Sequence, residues 1–113
     1  MEKMKEHSKE EESRLRNRVI QYAATLQRLT ARPRYAHMKR AEEIVRLEQL
    51  MLSGTARFSY LGQDGGIRHI KGTLINYMEN FGVPYRAKPY SRFMLYYDLE
   101  DKAWKTFQVT GLI

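Results

Sequence analysis

The sequence predicts an α+β protein, with two N-terminal helices followed by a small antiparallel β-barrel. Residues 13–52 place apolar side chains at the spacing of two amphipathic helices. Residues 55–74 alternate apolar and polar side chains on either side of a glycine-rich turn, and residues 93–109 carry a second hairpin pattern. Four strands linked as hairpins favour a small antiparallel sheet or barrel.

The chain is predicted to divide into a tail, a helical hairpin and a barrel. Residues 1–12 mix Glu and Lys without apolar periodicity, so a frayed helix or a disordered tail is expected. Residues 13–53 form the helical hairpin, and residues 54–113 form the barrel, with an insert at residues 75–92. A length of 113 residues fits one domain with an extension, or at most two small units.

The first predicted helix carries an apolar stripe bordered by cations. The stripe is Leu15, Val19, Tyr22, Leu26 and Leu29. It is expected to pack on the barrel or on the second helix, and a short coiled-coil seam with a second copy is the alternative. The positions one residue earlier form what we call the cationic strip: Arg14, Arg18, Gln21, Thr25, Arg28 and Arg32.

The cationic strip has two interpretations. It is a solvated face whose Arg stems lie along the border of the apolar stripe, or it is a face that contacts phosphates. A solvated helix face usually mixes both signs of charge, because i,i+4 ion pairs stabilise it. No acidic residue occurs between Glu12 and Glu42, and this absence supports the phosphate-contacting interpretation.

A second helix is predicted over residues 36–52. Pro33 separates it from the first, since proline disfavours helical geometry in the preceding residue. Its apolar residues spread over nearly half its surface, which is typical of a buried face, and Gly54 is the predicted C-terminal cap. The two helices do not make a helix-turn-helix reader of DNA, because no third supporting helix is evident.

The first hairpin is predicted from residues 56–61 and 67–74. Between them, Asp-Gly and Gly-Gly supply the positive φ angles that a tight turn needs. Gly72 inside the second strand suggests a bulge or a close backbone approach. Arg57, Arg68 and Lys71 either keep the edge soluble or form a shared basic face, depending on the register.

The second hairpin joins a strand at residues 93–97 to one at residues 103–109 through a polar turn. Asp98, Glu100 and Asp101 in that turn are expected to serve turn chemistry. Trp104 is out of phase with the other apolar residues of its strand, which allows a bulge near Lys105. Leu112 and Ile113 are predicted to add a last short pairing or a lid.

An ordered series of anchors in both hairpins resembles a known family. The anchors are Asp64, Gly65, Ile67, Arg68, Gly72, Thr73, Leu74, Tyr96 or Tyr97, Asp98, Leu99, Trp104, Phe107, Leu112 and Ile113. Over residues 54–113 the chain resembles the small WYL-related SH3-like β-barrel proteins of Bacteroides-type bacteria, their mobile elements and their phages. The resemblance implies an SH3-like barrel. WYL-type domains are often regulatory and bind nucleic acid or ligands.

The insert combines aromatic and cationic residues on a stiff segment. Residues 76–81 are predicted to form one helical turn ending at Gly82. The extended loop that follows contains two prolines and alternates tyrosines with cations. Such a loop covers the barrel, binds single-stranded nucleic acid by stacking and charge, or anchors a protein contact.

Composition narrows the function classes. A net charge of +7 favours an acidic partner, and the absence of cysteine rules out disulfides and thiolate metal sites and suits a cytosolic protein. No stretch approaches a membrane span, and the charged start is unlike a signal peptide. His7, His37 and His69 have no metal-ligand spacing, and no nucleotide or catalytic motif occurs, so neither an enzyme nor a cofactor is expected.

The sequence therefore predicts a non-enzymatic, cytoplasmic nucleic-acid-binding or regulatory protein of a bacterium, mobile element or phage. The alternative is a protein-interaction module, docking on an acidic host protein or forming a virion component that oligomerises through the N-terminal helices. The candidate nucleic-acid-binding residues are Arg14, Arg18, Arg28, Arg32, Arg34, Arg68, Lys71, Tyr85, Arg86, Lys88, Tyr90 and Arg92.

Overall fold

The structure is a computed structural model that describes residues 2–30 and 37–113, with side chains described from residue 9 onward. Its elements are α1 (Glu2–Thr30), α2 (Met38–Ser53), β1 (Thr55–Leu61), β2 (Ile67–Thr73), α3 (Tyr77–Phe81), β3 (Phe93–Asp98) and β4 (Ala103–Gln108), followed by a 3-10 turn at Val109–Gly111. The α+β class and the two predicted hairpins are confirmed. The predicted break at Pro33 lies outside the described residues.

The two long helices pack against each other through the apolar faces that the sequence predicted. Tyr22 and Leu26 of α1 are buried, and α2 buries Ala41, Ile44 and Met51 completely. Helix α1 also includes the charged residues 2–12. The division of the chain into a tail, a helical hairpin and a barrel stays a prediction.

The C-terminal end of α2 is held by β2. Gly54 is the C-terminal cap of α2, as predicted, and its backbone is extended there (φ 178°). The hydroxyl of Thr73 donates to the carbonyl oxygens of Met51 (3.3 Å) and Gly54 (2.6 Å). The Leu74 amide also donates to the Met51 carbonyl at 2.9 Å. Because the strand supplies donors to the carbonyl groups at the end of the helix, the cap does not need a left-handed glycine.

The β1–β2 hairpin closes where the sequence predicts, with Leu61 opposite Ile67. The Gly62 amide donates to the Gly66 carbonyl at 2.7 Å, and the Asp64 carboxylate accepts from the Gly66 amide at 3.0 Å. Gly65 has a φ of +83°. This conformation is unfavourable for any residue that has a Cβ atom. The glycine-rich turn is therefore explained by local backbone geometry.

Replacing Gly65 with alanine is expected to lower the free energy of unfolding by about 1–2 kcal/mol, because a Cβ atom is strained at positive φ. Gly66→Ala is the matched control, since Gly66 has no positive φ and its added Cβ would meet only side chains, those of Asp64 at 3.3 Å and Arg68 at 3.8 Å. Urea denaturation measures both variants. Equal losses would contradict the assigned strain at Gly65.

Gly72 is a site of close approach and not a bulge. The β1–β2 register runs without interruption from Thr55 opposite Thr73 to Leu61 opposite Ile67. A Cβ atom at Gly72 would lie 3.1 Å from the Phe58 ring and 3.3 Å from the Tyr96 ring. Glycine at this position therefore lets the barrel's aromatic core approach the backbone of β2.

The β3–β4 register is also continuous, so the bulge proposed near Lys105 is not present. Trp104 is out of phase because it belongs to a second aromatic cluster on the opposite face of the hairpin. Its ring lies 5.2 Å from Tyr97, 5.1 Å from Phe81 and 5.8 Å from Tyr77, centroid to centroid. Helix α3 therefore packs on the outer face of β3–β4. Helix α3 ends at Gly82, as predicted, and Gly82 is left-handed.

The acidic turn between β3 and β4 serves the backbone, as predicted. The Asp98 carboxylate accepts hydrogen bonds from the amides of Glu100 (2.9 Å) and Asp101 (3.2 Å). It also lies 3.0 Å from the ammonium of Lys105, across the hairpin. These contacts hold the pKa of Asp98 below its ordinary value, although burial acts in the opposite direction. The Asp98 carboxylate is therefore explained by folding.

The four strands form one antiparallel sheet in the order β1-β2-β3-β4. The ladder between the hairpins has two residue pairs, Gly72 with Asp98 and Thr73 with Tyr97, and the Leu99 amide also donates to the Lys71 carbonyl at 3.0 Å. On the far edge, a single bridge joins Tyr60 to Leu112, and the Ile113 amide donates to the Ser59 carbonyl at 2.9 Å. The chain end thus pairs with β1 as predicted, but no continuous ladder closes the barrel.

The inner face of the curved sheet encloses a core of aromatic rings. The Phe107 ring lies 5.2 Å from Phe58, 5.1 Å from Tyr60 and 6.0 Å from Tyr96. The Tyr60 and Tyr96 hydroxyls share a hydrogen bond of 2.9 Å, which satisfies the buried polar end of Tyr96. Period-2 alternation along the strands places these rings on one face.

Candidate functional site

Most of the predicted binding cations lie at the surface. The exposed candidates are Arg14, Arg28, Arg68, Lys71, Arg86, Lys88, Tyr90 and Arg92. Arg18 and Tyr85 are partly buried. Arg32 and Arg34 lie outside the described residues.

The cationic strip is not a continuous solvent-facing surface. Thr25 is 1 % exposed, and its hydroxyl donates to the Gln21 carbonyl within the helix at 3.1 Å. Arg18 turns towards α2, where its Nη2 lies 2.8 Å from both carboxylate oxygens of Glu48. The middle of the strip therefore belongs to the packing between the helices, and among its described members only Arg14 and Arg28 are exposed.

Glu48 is the centre of a buried polar cluster that joins α1, α2 and the insert. Its side chain is 0 % exposed. The Oε2 atom accepts from Arg18, from the Tyr22 hydroxyl (3.4 Å) and from the Tyr85 hydroxyl (3.1 Å). The Arg18 guanidinium also lies over the Tyr22 ring, 5.6 Å from its centroid. We call Arg18, Tyr22, Glu48 and Tyr85 the Glu48 cluster.

Burial is the largest cause of the pKa shifts of Glu48, Tyr22 and Tyr85. It raises the pKa of Glu48 above the ordinary value of a glutamate, although Arg18 and the two tyrosine hydroxyls act to lower it. Burial and the neighbouring carboxylate also raise the pKa of Tyr22 to about 12, and they raise that of Tyr85. Both tyrosines therefore stay protonated as hydrogen-bond donors at neutral pH.

Glu48 was not among the predicted site residues, although the helical pattern of α2 contains a signal for it. Ala41, Ile44, Val45 and Met51 are buried on α2, and position 48 falls on the same face at the i, i+3 and i+4 spacing. A glutamate at a position that the helical period assigns to the core needs a partner, since an unpaired buried charge is costly. That requirement points to a neighbouring cation such as the partly buried Arg18.

The loop at residues 83–92 lies against the helical hairpin at two points. Tyr85 reaches Glu48, as described above. Further along, Nη2 of Arg28 donates to the Tyr90 carbonyl at 3.5 Å. Tyr90 is 52 % exposed and has a φ of +59°, which non-glycine residues rarely adopt. The exposed end of the cationic strip therefore adjoins the tyrosine- and cation-rich loop.

The first hairpin separates its cations onto two faces. Arg57 lies directly opposite Lys71, whereas Arg68 lies opposite Tyr60 and so on the other face. Arg68 is paired with Asp64 at 2.8 Å. The hydrogen bond from the Gly66 amide lowers the pKa of Asp64 most, and the charge of Arg68 lowers it further. The register therefore gives a two-residue basic patch, Arg57 with Lys71, and excludes Arg68 from it.

The structure also has a cleft at the end of the barrel, about 560 Å³ in volume. Tyr60, Phe93 and Phe107 line it together with Arg68 and polar residues of β4 and the 3-10 turn.

Among residues 2–30 and 37–113, no group of three or more His, Asp or Glu side chains is placed to hold a metal ion. No helix in the part of the chain that the structure describes is long and apolar enough to cross a membrane.

Comparison with known proteins places the barrel half in a family. A family model described as WYL_2, with an Sm-like SH3 β-barrel fold, matches residues 44–113. No curated protein and no solved structure matches the chain. The family match begins within α2, ten residues before the start at residue 54 that the resemblance suggested. Because this match covers well over half of the sequence, the chain belongs to the WYL_2 family of Sm-like SH3 β-barrel proteins.

Proposed function

We propose that the protein is a non-enzymatic, cytoplasmic nucleic-acid-binding protein with a regulatory role in a bacterium, a mobile element or a phage. The observation that carries the proposal is the contact between Arg28 and the Tyr90 carbonyl. It joins the acid-free part of α1 to the loop that carries Arg86, Lys88 and Arg92. Neighbouring cations on a rigid scaffold are suited to bind successive phosphates of a nucleic acid.

Charge supports this proposal. The net charge of +7 attracts polyanions, and no Asp or Glu occurs in the loop at residues 83–92. Among the described residues, the ion pairs of Arg40 and Arg68 each use a nearby carboxylate, whereas Arg28, Arg86, Lys88 and Arg92 have no such pair. We therefore assign phosphate contacts to these four residues, with Arg14 further along α1. Arg18 and Tyr85 are occupied by the Glu48 cluster.

Salt dependence tests the proposal. Fluorescence anisotropy with a labelled single-stranded oligonucleotide and a duplex of equal length, at two or more salt concentrations, is expected to show binding that weakens steeply with salt. Lys88→Ala is expected to reduce the slope of log K against log[salt] by about 0.7 to 0.9, because one phosphate contact is lost. Arg40→Ala removes the same charge from an ion pair with Glu43 and is the matched control.

Two results would contradict this proposal. The first is the absence of binding to both oligonucleotides at low salt. The second is an equal effect of Lys88→Ala and Arg40→Ala, which would mean that net charge alone attracts the nucleic acid.

An exposed apolar group favours protein interaction as the second candidate function. Ile75, Met78, Phe81 and Val83 are each about half exposed or more, and they occur within nine residues. Clustered exposed apolar side chains often mark protein contacts. A stable multimer in a size measurement, or capture by an acidic host protein, combined with no binding to DNA or RNA, would favour this function.

A further inference from the structure

The two tyrosines at the ends of the loop occupy opposite environments. Tyr85 is partly buried, with its hydroxyl on the fully buried Glu48 and its ring 5.3 Å from that of Tyr77. Tyr90 is 52 % exposed, and only its backbone carbonyl is held, by Arg28. The segment between them carries Arg86 and Lys88, both exposed. The loop is thus held at Tyr85 and at Tyr90, with Arg86 and Lys88 between these two contacts.

Glu48 connects this loop to α1 as well as to α2. The same oxygen accepts from Arg18 on α1 and from Tyr85 in the loop. A buried carboxylate that accepts several hydrogen bonds has few alternative arrangements, because breaking one contact leaves charge without compensation. The position of Tyr85 is therefore tied to the packing of the two helices. Hydrophobic contact alone would not fix it so closely.

We infer that Glu48 is a positioning residue for the proposed nucleic-acid interface. Through its contact with Tyr85, it holds the cations of the loop at a fixed position relative to Arg28. This inference rests on the proposed nucleic-acid function. A loop that is ordered before binding loses less conformational entropy when it meets its partner. If the loop detaches, only the fraction of molecules with a docked loop binds well, and the apparent Kd rises by the inverse of that fraction.

Glu48→Gln separates positioning from simple electrostatics, because the two predict opposite signs. Removing a negative charge raises the net charge, so a purely electrostatic role predicts tighter binding to a labelled single-stranded oligonucleotide. A positioning role predicts weaker binding, by about fivefold to tenfold, since the amide is a poorer acceptor and the loop detaches. Unchanged or tighter binding overturns the inference.

Tyr85→Phe tests the same contact without any change of charge. Affinity is expected to fall by a similar factor, while the slope of log K against log[salt] stays the same, because the number of phosphates contacted is unchanged. The double variant with Glu48→Gln is expected to bind little worse than either single variant, since both remove one contact. Tyr97→Phe is the control, a hydroxyl removed from the outer aromatic cluster.

Hydrogen exchange distinguishes a failure of this inference from a failure of the proposed function. In the free protein, the amides of residues 86–88 and 90–92 are expected to exchange faster in Tyr85→Phe than in wild type or Tyr97→Phe. Unchanged exchange shows that the hydroxyl does not hold the loop, whatever the protein binds. If Tyr85→Phe exchanges faster but the wild-type protein binds neither oligonucleotide, then the nucleic-acid function is wrong. The role of Glu48 at a nucleic-acid interface is then wrong as well.

Discussion

Replacing Arg18 with alanine is expected to destabilise the fold by about 3–5 kcal/mol, because it leaves the buried carboxylate of Glu48 without its only cationic partner among the described residues. Two tyrosine hydroxyls remain as donors, but neutral donors compensate a buried charge incompletely. The free energy of unfolding from urea denaturation measures this loss. The effect is large for a single arginine because Glu48 is wholly buried.

Arg14→Ala is the matched control for this prediction. Arg14 lies one helical turn before Arg18, carries the same charge and is exposed. Its substitution is expected to change the free energy of unfolding by no more than about 0.5 kcal/mol. If Arg18→Ala and Arg14→Ala have equal effects, then the contact between Arg18 and Glu48 contributes nothing measurable to stability.

The loss in Arg18→Ala is expected to depend on pH. The pKa of Glu48 is raised by burial above 4.5, so its ionisation opposes folding. This cost is absent below the ordinary pKa, where Glu48 is protonated in both states, and it develops as the pH rises through the folded-state pKa. The cost is greater without Arg18. The stability difference between wild type and Arg18→Ala should therefore be small in acid and grow towards neutral pH.

Arg18 also shows why the cationic strip could be found in the sequence but not interpreted. Helical spacing placed its members from Arg14 to Arg28 on one helix, α1. Whether the strip faces solvent depends on α2, whose Glu48 is 30 residues away along the chain. Searching for acids at i,i+4 finds only partners on the same helix. The carboxylate that pairs with Arg18 belongs to another helix. The strip therefore contains no acidic residue, and yet its Arg18 is not available to a ligand.

The hairpins were predicted more completely because their determinants are local. The turn after β1 depends on Asp64, Gly65 and Gly66, which are adjacent in the chain. The environment of Trp104, in contrast, depends on residues that are distant in the chain. Its phase fits a continuous strand only when α3, from the insert, covers the outer face of the sheet. Without that tertiary contact, a bulge was the simplest local explanation.

Replacing Phe107 with alanine is expected to cost about 3–5 kcal/mol, because it opens a cavity among the aromatic rings of the inner face. Phe107 is 2 % exposed and packs on Phe58, Tyr60 and Tyr96. Phe93→Ala is the control. Phe93 lies on the neighbouring strand and is 43 % exposed, so its removal leaves no enclosed cavity and is expected to cost about 1 kcal/mol or less.

The same variant tests whether the helices and the sheet unfold as one unit. The single Trp104 reports on the outer face of the sheet, and far-ultraviolet circular dichroism reports mainly on α1 and α2. Thr73 and Leu74 bond to the end of α2, and α1 packs on the turn at Val109–Gly111. These connections predict that Phe107→Ala lowers both transition midpoints together, as two-state unfolding requires. A shift in Trp104 fluorescence alone would mean that the helical hairpin is stable without the barrel, and that the Glu48 cluster can hold its loop independently of the sheet.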